Sequence, residues 1–466
     1  MNTELMGADE LSRSIGGRLL SFSPSPNSPF NSVSIDSRLI KERGLFFAIE
    51  GASCDGHGFV EAAFSSGAQA AVVESSKLES FNIADIAKKH RKDLILVQNT
   101  LKALQDSAIA YLKKFPALVK IAITGSSGKT TTKEIAASII SCEKNTLKNE
   151  GNFNSESGLP LSVFNLRSCH EVGVFELGMN KKGEISALAE ILRPNIAQVT
   201  NIGHAHVGFF GSRNEILKEK KCVFKFMTDN DIALIPKDDE LAGELAQGVM
   251  GNIHYFGEDT FAEFEGALDL GLEGTEITWA GEKIRFALAG KHNLANALAA
   301  IAIAKELNVG NDSIKKGLES VKPLFGRAEI LKGRTTVIRD CYNANPESMV
   351  KSIEFCDSLV WDGRKVYVLA DMLELGDVSF SAHTQLGDFL TQSKADRIFL
   401  FGSEIKAAAS CLSDRCKSFF YTDDMEQLSA ALDGYVQSKD IVLLKGSRGC
   451  ALERLSEILT EVKHGS

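Results

Sequence analysis

Residues 119–134 read VKIAITGSSGKTTTKE. The first six form a nearly unbroken apolar run, the pattern of a parallel strand buried on both faces. Gly125-Ser126-Ser127-Gly128-Lys129-Thr130-Thr131 follows as a glycine-rich turn, and a helix is predicted over 131–140. Glycines let the backbone turn tightly and aim its N–H groups at phosphate oxygens, and a helix N-terminus adds partial positive charge. Lys129 can reach β/γ-phosphates and the Thr130 hydroxyl can ligate Mg²⁺. A phosphate loop of the usual length has its first glycine five positions before Gly128, where this chain has Ile123, so the spacing here is G-x-x-G-K-T. A chance Gly-Ser turn shares these residues, but the strand–loop–helix context favours an ATP site.

Outward from this loop the chain alternates strands and helices. Downstream, strands are predicted at 172–176 (VGVFE), 196–200 (IAQVT) and 232–235 (IALI), with helices at 184–192 and 214–227. Residues 266–284 alternate between glycine turns like an antiparallel insert, and an Ala-rich helix spans 294–307. Upstream, 44–49, 70–74 and 94–97 read as strands, 59–66 and 103–114 as helices, and Pro/Ser/Asn-rich 21–32 as a loop. KPLFG at 322–326 is the best linker candidate, and strands resume at 335–339, 365–370, 397–401 and 441–444. The expected fold is α/β in three domains, at 1–102, 103–322 and 323–466. The central one holds a P-loop parallel sheet with a small antiparallel insert, and the C-terminal one is doubly wound and Rossmann-like.

Composition narrows the class. The 466 residues are 44% hydrophobic and 24% charged, which suits packed domains rather than disorder. A net charge of −9 lacks the basic excess that a nucleic-acid partner demands. Residues 1–17 have neither a basic nor an apolar region of the kind a signal peptide needs. The apolar run ALAAIAIA at 297–304 is far shorter than the ~20 residues that span a bilayer. Nine cysteines without a CxxC pair read as reduced thiols. A cytoplasmic protein with no membrane span is expected.

Three groups beyond the loop carry chemistry. Glu176 ends the strand VGVFE at the carboxyl edge of a parallel sheet, where ligands collect and a carboxylate can hold Mg²⁺. An exposed strand-end glutamate is the plainer reading. His204 and His206 in NIGHAHVGFFGS invite zinc, but no cysteine or third histidine lies nearby, so one histidine on Mg²⁺ or phosphate fits better. Lys218, Lys220 and Lys221 read at first as a solvated basic face. At 3.6 residues per turn Lys220 shares a stripe with Ile216 and Phe224, Lys221 shares one with Leu217, and Lys218 points roughly 200° away from Lys220. Periodicity leaves Lys220 and Lys221 both open.

These residues and the motifs around them resemble the Mur ligase superfamily, ATP-dependent amide-forming enzymes of peptidoglycan precursor synthesis. The motifs stand in family order: TGSSGKTTTKE (124–134), GNFNSESGLP (151–160), FELGMNKKGEI (175–185), NIGHAHVGFFGS (201–212), KEKKCVF (218–224), GKHNLANALAA (290–300), FGRAE (325–329), DCYNANPESM (340–349), LADMLELGD (369–377) and LLKGSRGCALE (443–453). The YNANP, DMLELG and KGSR set is most similar to the branch that adds D-alanyl-D-alanine to UDP-N-acetylmuramoyl-tripeptide. GLFFAIEGASCDGHGF (44–59) resembles that branch's UDP-substrate domain. The sister branch that adds the diamino acid carries D-N-P-R, where this chain has Asn343-Ala344-Asn345-Pro346. Folate polyglutamate synthase shares the loop but lacks the N-terminal UDP domain.

The resemblance implies chemistry and roles. ATP phosphorylates a carboxylate, the amine attacks the acyl phosphate, and phosphate leaves. ATP, two Mg²⁺ ions and a lysine carbamylated by CO₂ are implied as cofactors. Thr130, Glu176, His206 and Lys220 match the metal residues, and the spacing of fourteen from His206 selects Lys220 over Lys221. Lys129, Lys220 and His206 form the implied catalytic set. The loop from Gly125 to Thr131, with Asn293, Asn296, Arg327 and Asp340, matches the ATP site; Asn293 also suits helix capping. Ser34, Asp36, Ser37, Arg38, Asn152, Asn154, Tyr342, Asn343, Asn345, Lys445 and Arg448 match substrate positions. The implied partners are UDP-N-acetylmuramoyl-tripeptide and D-alanyl-D-alanine, and a monomer is expected. A switch or motor NTPase would instead carry a full-length loop and a strand-end Asp. A non-catalytic binder of UDP-muramoyl ligands should have lost Lys129, Glu176 or Lys220, and all three are present.

Overall fold

The structure is a computed structural model that describes residues 5–25, 27–203, 207–414 and 418–461. Its first sheet holds β1 (Arg18–Leu20), β2 (Ser32–Ser34), β3 (Gly44–Phe47), β4 (Ala68–Glu74) and β5 (Asp93–Val97), in the order β1-β5-β4-β3-β2. Strands β2 to β5 run parallel and β1 pairs antiparallel with β5. A helix, Thr100–Leu112, leads onward; the Asn99 side chain accepts the Lys102 N–H at 2.8 Å and starts it three residues before the predicted position. The helix runs unbroken through the expected 102/103 boundary, so a rigid element rather than a loop joins the two regions.

The second sheet is entirely parallel. It comprises β6 (Val119–Thr124), β7 (Thr146–Lys148), β8 (Val172–Glu176), β9 (Ile196–Val199), β10 (Ile232–Pro236) and β11 (Asn252–Phe256), in the order β11-β10-β9-β6-β8-β7. The chain lays β7 and β8 on one side of β6, then crosses to the other side for β9 onward. The reversal makes the carboxyl end of β6 a topological switch point, where a crevice opens. Alternation along β6 explains its apolar run. Ile121 and Ile123 face a core with Ile135 and Ile139 of the helix Lys129–Ile140 and Ala300 and Ile301 of the helix Lys291–Glu306. Ala122, between them, faces the opposite core with Ile185, Leu188 and Ile216. Gly317 of the helix Asn311–Ser320 packs so closely on Ile139 that an added Cβ would meet its Cα at 2.4 Å.

The expected insert is a three-stranded antiparallel sheet, β12 (Phe264–Asp269), β13 (Thr275–Trp279) and β14 (Glu282–Phe286). Ile277, Trp279, Ile284 and Phe286 bury its inner face against the Ile135–Ile139 core, and the Trp279 indole donates to Asn311 Oδ1 at 3.0 Å.

The third sheet holds β15 (Glu329–Lys332), β16 (Thr336–Asp340), β17 (Lys365–Ala370), β18 (Arg397–Phe401), β19 (Phe419–Thr422) and β20 (Ile441–Lys445), in the order β15-β16-β20-β17-β18-β19. Only β15 is antiparallel to its neighbour. The last strand inserts between β16 and β17, which sets Asp340 and Lys445 side by side in register. Among the described residues, no helix is long and apolar enough to cross a membrane.

Candidate active site

The phosphate loop sits at the switch point. Its helix begins at Lys129, two residues earlier than predicted, so Lys129 and Thr130 open the first turn. Two glycines shape it. At Gly125 (φ +152°) a Cβ would lie 1.8 Å from Thr200 Oγ1, and at Gly128 (φ +79°) one would lie 2.2 Å from Asn296 Oδ1. Gly128→Ala therefore combines left-handed strain with a collision. It is expected to weaken ADP binding at least about tenfold while the parallel sheet still folds, which calorimetric titration beside thermal unfolding will check.

Neighbouring strand ends hold the loop open. The Ser127 N–H donates to Asn201 Oδ1 at 3.0 Å, and Asn201 Nδ2 returns a bond to the Ser127 carbonyl at 3.0 Å. Thr200 Oγ1 donates to the same carbonyl at 2.6 Å. Thr130 Oγ1 donates to Glu176 Oε2 at 2.7 Å and accepts from Arg327 Nη2 at 2.8 Å, so a residue beyond the 322–326 segment reaches the loop. The Arg327 guanidinium also lies over the Tyr342 ring, 4.4 Å from its centroid.

Two ammonium groups converge on one carbonyl. Lys129 Nζ donates to the Gly125 oxygen at 2.8 Å, and Lys220 Nζ donates to the same oxygen at 2.9 Å. Lys220 is 1% exposed, and among the described residues its nitrogen also meets the Met179 thioether at 3.7 Å. Burial, then the charge of Lys129, push its pKa well below the usual lysine range, with Glu219 opposing. Burial also pushes Lys129 down; Glu176 opposes that shift and Arg327 adds to it. The other two lysines of the helix Arg213–Lys221 point elsewhere. Lys218 pairs with Glu215 at 2.6 Å, and Lys221 donates to the Glu244 carbonyl at 2.5 Å on the surface.

A cleft of about 660 Å³ joins this loop to the carboxyl edge of the third sheet. It is lined by the loop from Ser126 to Thr131, Glu176, Asn152, Asn154, Asn293, Asn296, Arg327, Asp340, Tyr342, Asn343, Asn345, Lys445 and Arg448. On the far wall Lys445 Nζ lies 2.9 Å from Asp340 Oδ2 and donates to the Asn343 carbonyl at 3.0 Å. Ser352 Oγ donates to the same Asp340 oxygen at 2.5 Å.

Some expected residues are occupied by structural bonds. Asn154 Nδ2 donates to Glu176 Oε1 at 2.8 Å, so it holds the carboxylate as well as lining the cleft. Asn345 caps the helix Pro346–Ser358 by accepting the Ser348 N–H at 2.9 Å. Asn293 donates back to the Ala289 carbonyl at 2.8 Å instead of accepting a first-turn N–H, and Asn296 donates to Asn293 Oδ1 at 3.2 Å. Ser34, Asp36, Ser37 and Arg38 do not line the cleft. They form a local turn in which Asp36 accepts the Arg38 N–H and pairs with its guanidinium at 2.7 Å, and those hydrogen bonds hold the Asp36 carboxyl at about 2. His204 and His206 lie outside the described residues. Among the described residues no group of three or more His, Cys, Asp or Glu could hold a metal.

Sequence reasoning missed Asn149, Asn201 and His292. Asn201 opens the NIGHAH motif, where the histidines drew attention. His292, beside Asn293 in GKHNLANALAA, lines the cleft; burial pushes its imidazole down, with Asp340 opposing.

A shortened phosphate loop at a switch point, faced across one cleft by a second doubly wound sheet, defines a multidomain ATP-dependent α/β enzyme. The Mur ligase middle domain matches residues 123–304, the Mur ligase glutamate ligase domain matches 326–448, and the Mur ligase family catalytic domain matches 29–111. The UDP-N-acetylmuramoyl-tripeptide–D-alanyl-D-alanine ligase of Treponema pallidum (strain Nichols) is 40% identical over 432 residues, covering 92% of this chain and 94% of that protein. The enzyme of the same name from Bacillus subtilis (strain 168) is 34% identical over 440 residues, covering 92% and 93%. A crystal structure of MurF from Acinetobacter baumannii superposes with a TM-score of 0.87 at 29% identity, covering 99% of this chain and 100% of that one. The chain belongs to the Mur ligase family.

Proposed function

We propose that the protein joins D-alanyl-D-alanine to UDP-N-acetylmuramoyl-tripeptide with ATP, through an acyl phosphate. The observation that carries this reading is the single cleft: the phosphate loop forms one wall and the Asp340–Lys445 edge of the third sheet forms the other. The names of the relatives support the choice of substrates. A carboxylate oxygen of the tripeptide attacks the γ-phosphorus and ADP leaves. The dipeptide amine then attacks the acyl carbon, forming the C–N bond, and loses a proton; the tetrahedral intermediate collapses to the amide as its C–O bond to phosphate breaks and phosphate leaves. The physical difficulty is a carboxylate meeting a polyanion. Lys129 and the loop N–H groups are preorganised where that charge develops, so little reorganisation is needed on reaction.

The residues present fit Mg²⁺. Thr130 and Glu176 bring a hydroxyl and a carboxylate together at 2.7 Å, the hard oxygen donors a small divalent cation takes. These two would hold it, and the bound cation neutralises charge on phosphate oxygens. Lys220 fits carbamylation: among the described residues its buried nitrogen meets one carbonyl and a thioether, with a second cation nearby. Addition of CO₂ forms an N–C bond, releases a proton and leaves an anion that complements Lys129.

The 322–326 segment is proposed as the hinge between the domains at 103–322 and 323–466. Closure would exclude water from the acyl phosphate. Ser34, Asp36, Ser37 and Arg38 are proposed to hold the UDP-sugar outside the ATP cleft. Phosphate release from ATP tests the whole reading. It is expected to require both UDP-tripeptide and D-alanyl-D-alanine. Release that ignores the dipeptide, or runs equally with a free diamino acid, would overturn it.

A further inference from the structure

Lys133 is fully buried, and none of the steps above uses it. Its ammonium donates to the main-chain carbonyl of Asn149 at 2.6 Å and pairs with Glu134 Oε1 at 3.1 Å. A buried ammonium is costly to desolvate, so packing alone would be better served by an apolar side chain. The residue it grips explains its presence. Asn149 lies just past β7, an edge strand with β8 as its single neighbour. There its N–H reaches the Val174 carbonyl only at 3.3 Å. An edge-strand end of this kind frays unless something else anchors it.

What Asn149 holds is Glu176. Asn149 Oδ1 accepts the Glu176 N–H at 2.9 Å, and Nδ2 donates to the Glu176 carbonyl at 3.1 Å. The same Nδ2 donates to the Phe153 carbonyl at 2.9 Å. That bond ties down the turn bearing Asn154, which in turn donates to Glu176 Oε1. On one side the Glu176 main chain is held by Ile123 of β6; on the other, both its main chain and, through Asn154, its carboxylate are tied to Asn149. We propose that Lys133 is a positioning residue: by seating Asn149 it aims the Glu176 carboxylate at Thr130 and sets the affinity of the nucleotide site for Mg²⁺. This rests on reading the Thr130–Glu176 pair as the Mg²⁺ site.

The test is calorimetric titration of ADP into the full chain over a series of Mg²⁺ concentrations, which reads binding without turnover. Lys133→Met is expected to raise the Mg²⁺ concentration for half-maximal enhancement of ADP binding about tenfold, with Mg²⁺-free ADP affinity unchanged. Asn149→Asp keeps the side-chain shape and the acceptor but loses both donors, so it should give the same shift. It decides the matter if Lys133→Met does not fold. Glu176→Gln is the benchmark. A folded Lys133→Met, or failing that Asn149→Asp, with an unchanged Mg²⁺ midpoint while Glu176→Gln shifts it overturns the positioning role. An unchanged midpoint in Glu176→Gln overturns the Mg²⁺ site reading instead.

Discussion

Lys129→Ala is expected to lower phosphate release by roughly a thousandfold or more, about 4 kcal/mol of transition-state stabilisation, while the protein stays folded. The two halves of this expectation have one cause. Among the described residues Lys129 donates one side-chain hydrogen bond, to the Gly125 carbonyl, and shares that oxygen with Lys220. Burial, the largest effect, and Arg327 push against the Lys129 charge while Glu176 favours it, and the net effect lowers its pKa, so the side chain adds little to the stability of the free enzyme. A phosphate chain adds the negative charge that Glu176 alone does not balance. Removing Lys129 lets Lys220 keep the Gly125 oxygen alone and should leave the melting temperature unchanged or slightly higher. Thermal unfolding beside phosphate release separates the two effects; near-native turnover by a folded variant would take Lys129 out of the mechanism.

The second large effect is at Lys220. Lys220→Ala is expected to reduce turnover by roughly a hundredfold or more, and short carboxylates such as acetate should restore part of it. The vacated volume is enclosed and lies beside Lys129, so a small anion entering it would recover the negative charge that the proposed carbamate would supply. Lys218→Ala and Lys221→Ala should stay near native, because both side chains end at the surface. Incubation with ¹³CO₂ should give a carbamate carbon signal in the native enzyme that Lys220→Ala lacks. Full activity of Lys220→Ala at low bicarbonate would refute the assignment.

Much of the site could be read from the chain because it is local. The loop, Glu176 and the first turn of the Ala-rich helix each sit at the end of a strongly patterned element, and a parallel sheet gathers such ends at one edge. The choice between Lys220 and Lys221 was different. Both lie on stripes with an apolar neighbour, so periodicity left them equal and the family spacing from His206 selected Lys220; the packing of the helix Arg213–Lys221 against Gly125 and Met179 puts that lysine inside. Asn149 and Lys133 had no sequence signal at all. Their importance comes from contacts with residues far along the chain, made by main-chain atoms and one amide side chain.

The strands divide in the same way. Every interior strand of the three large sheets was predicted, from Gly44–Phe47 through Ile441–Lys445. Each has buried central residues and so carries apolar side chains that announce it, down to the Val337–Ile338 pair of β16. The strands not foreseen, β1, β2, β7, β11, β15 and β19, are the edges of those sheets. An edge strand has one neighbour, and Arg18–Leu20 and Thr146–Lys148 are three residues long with no fully buried position, so their extended form is imposed by the strand beside them. The sequence by itself therefore determined the sheet interiors, the phosphate loop and the family motifs, because these depend on local pattern. The tertiary structure alone decided the sheet edges, the burial of Lys133 and the bonds that aim Glu176, because these depend on which neighbour a residue meets.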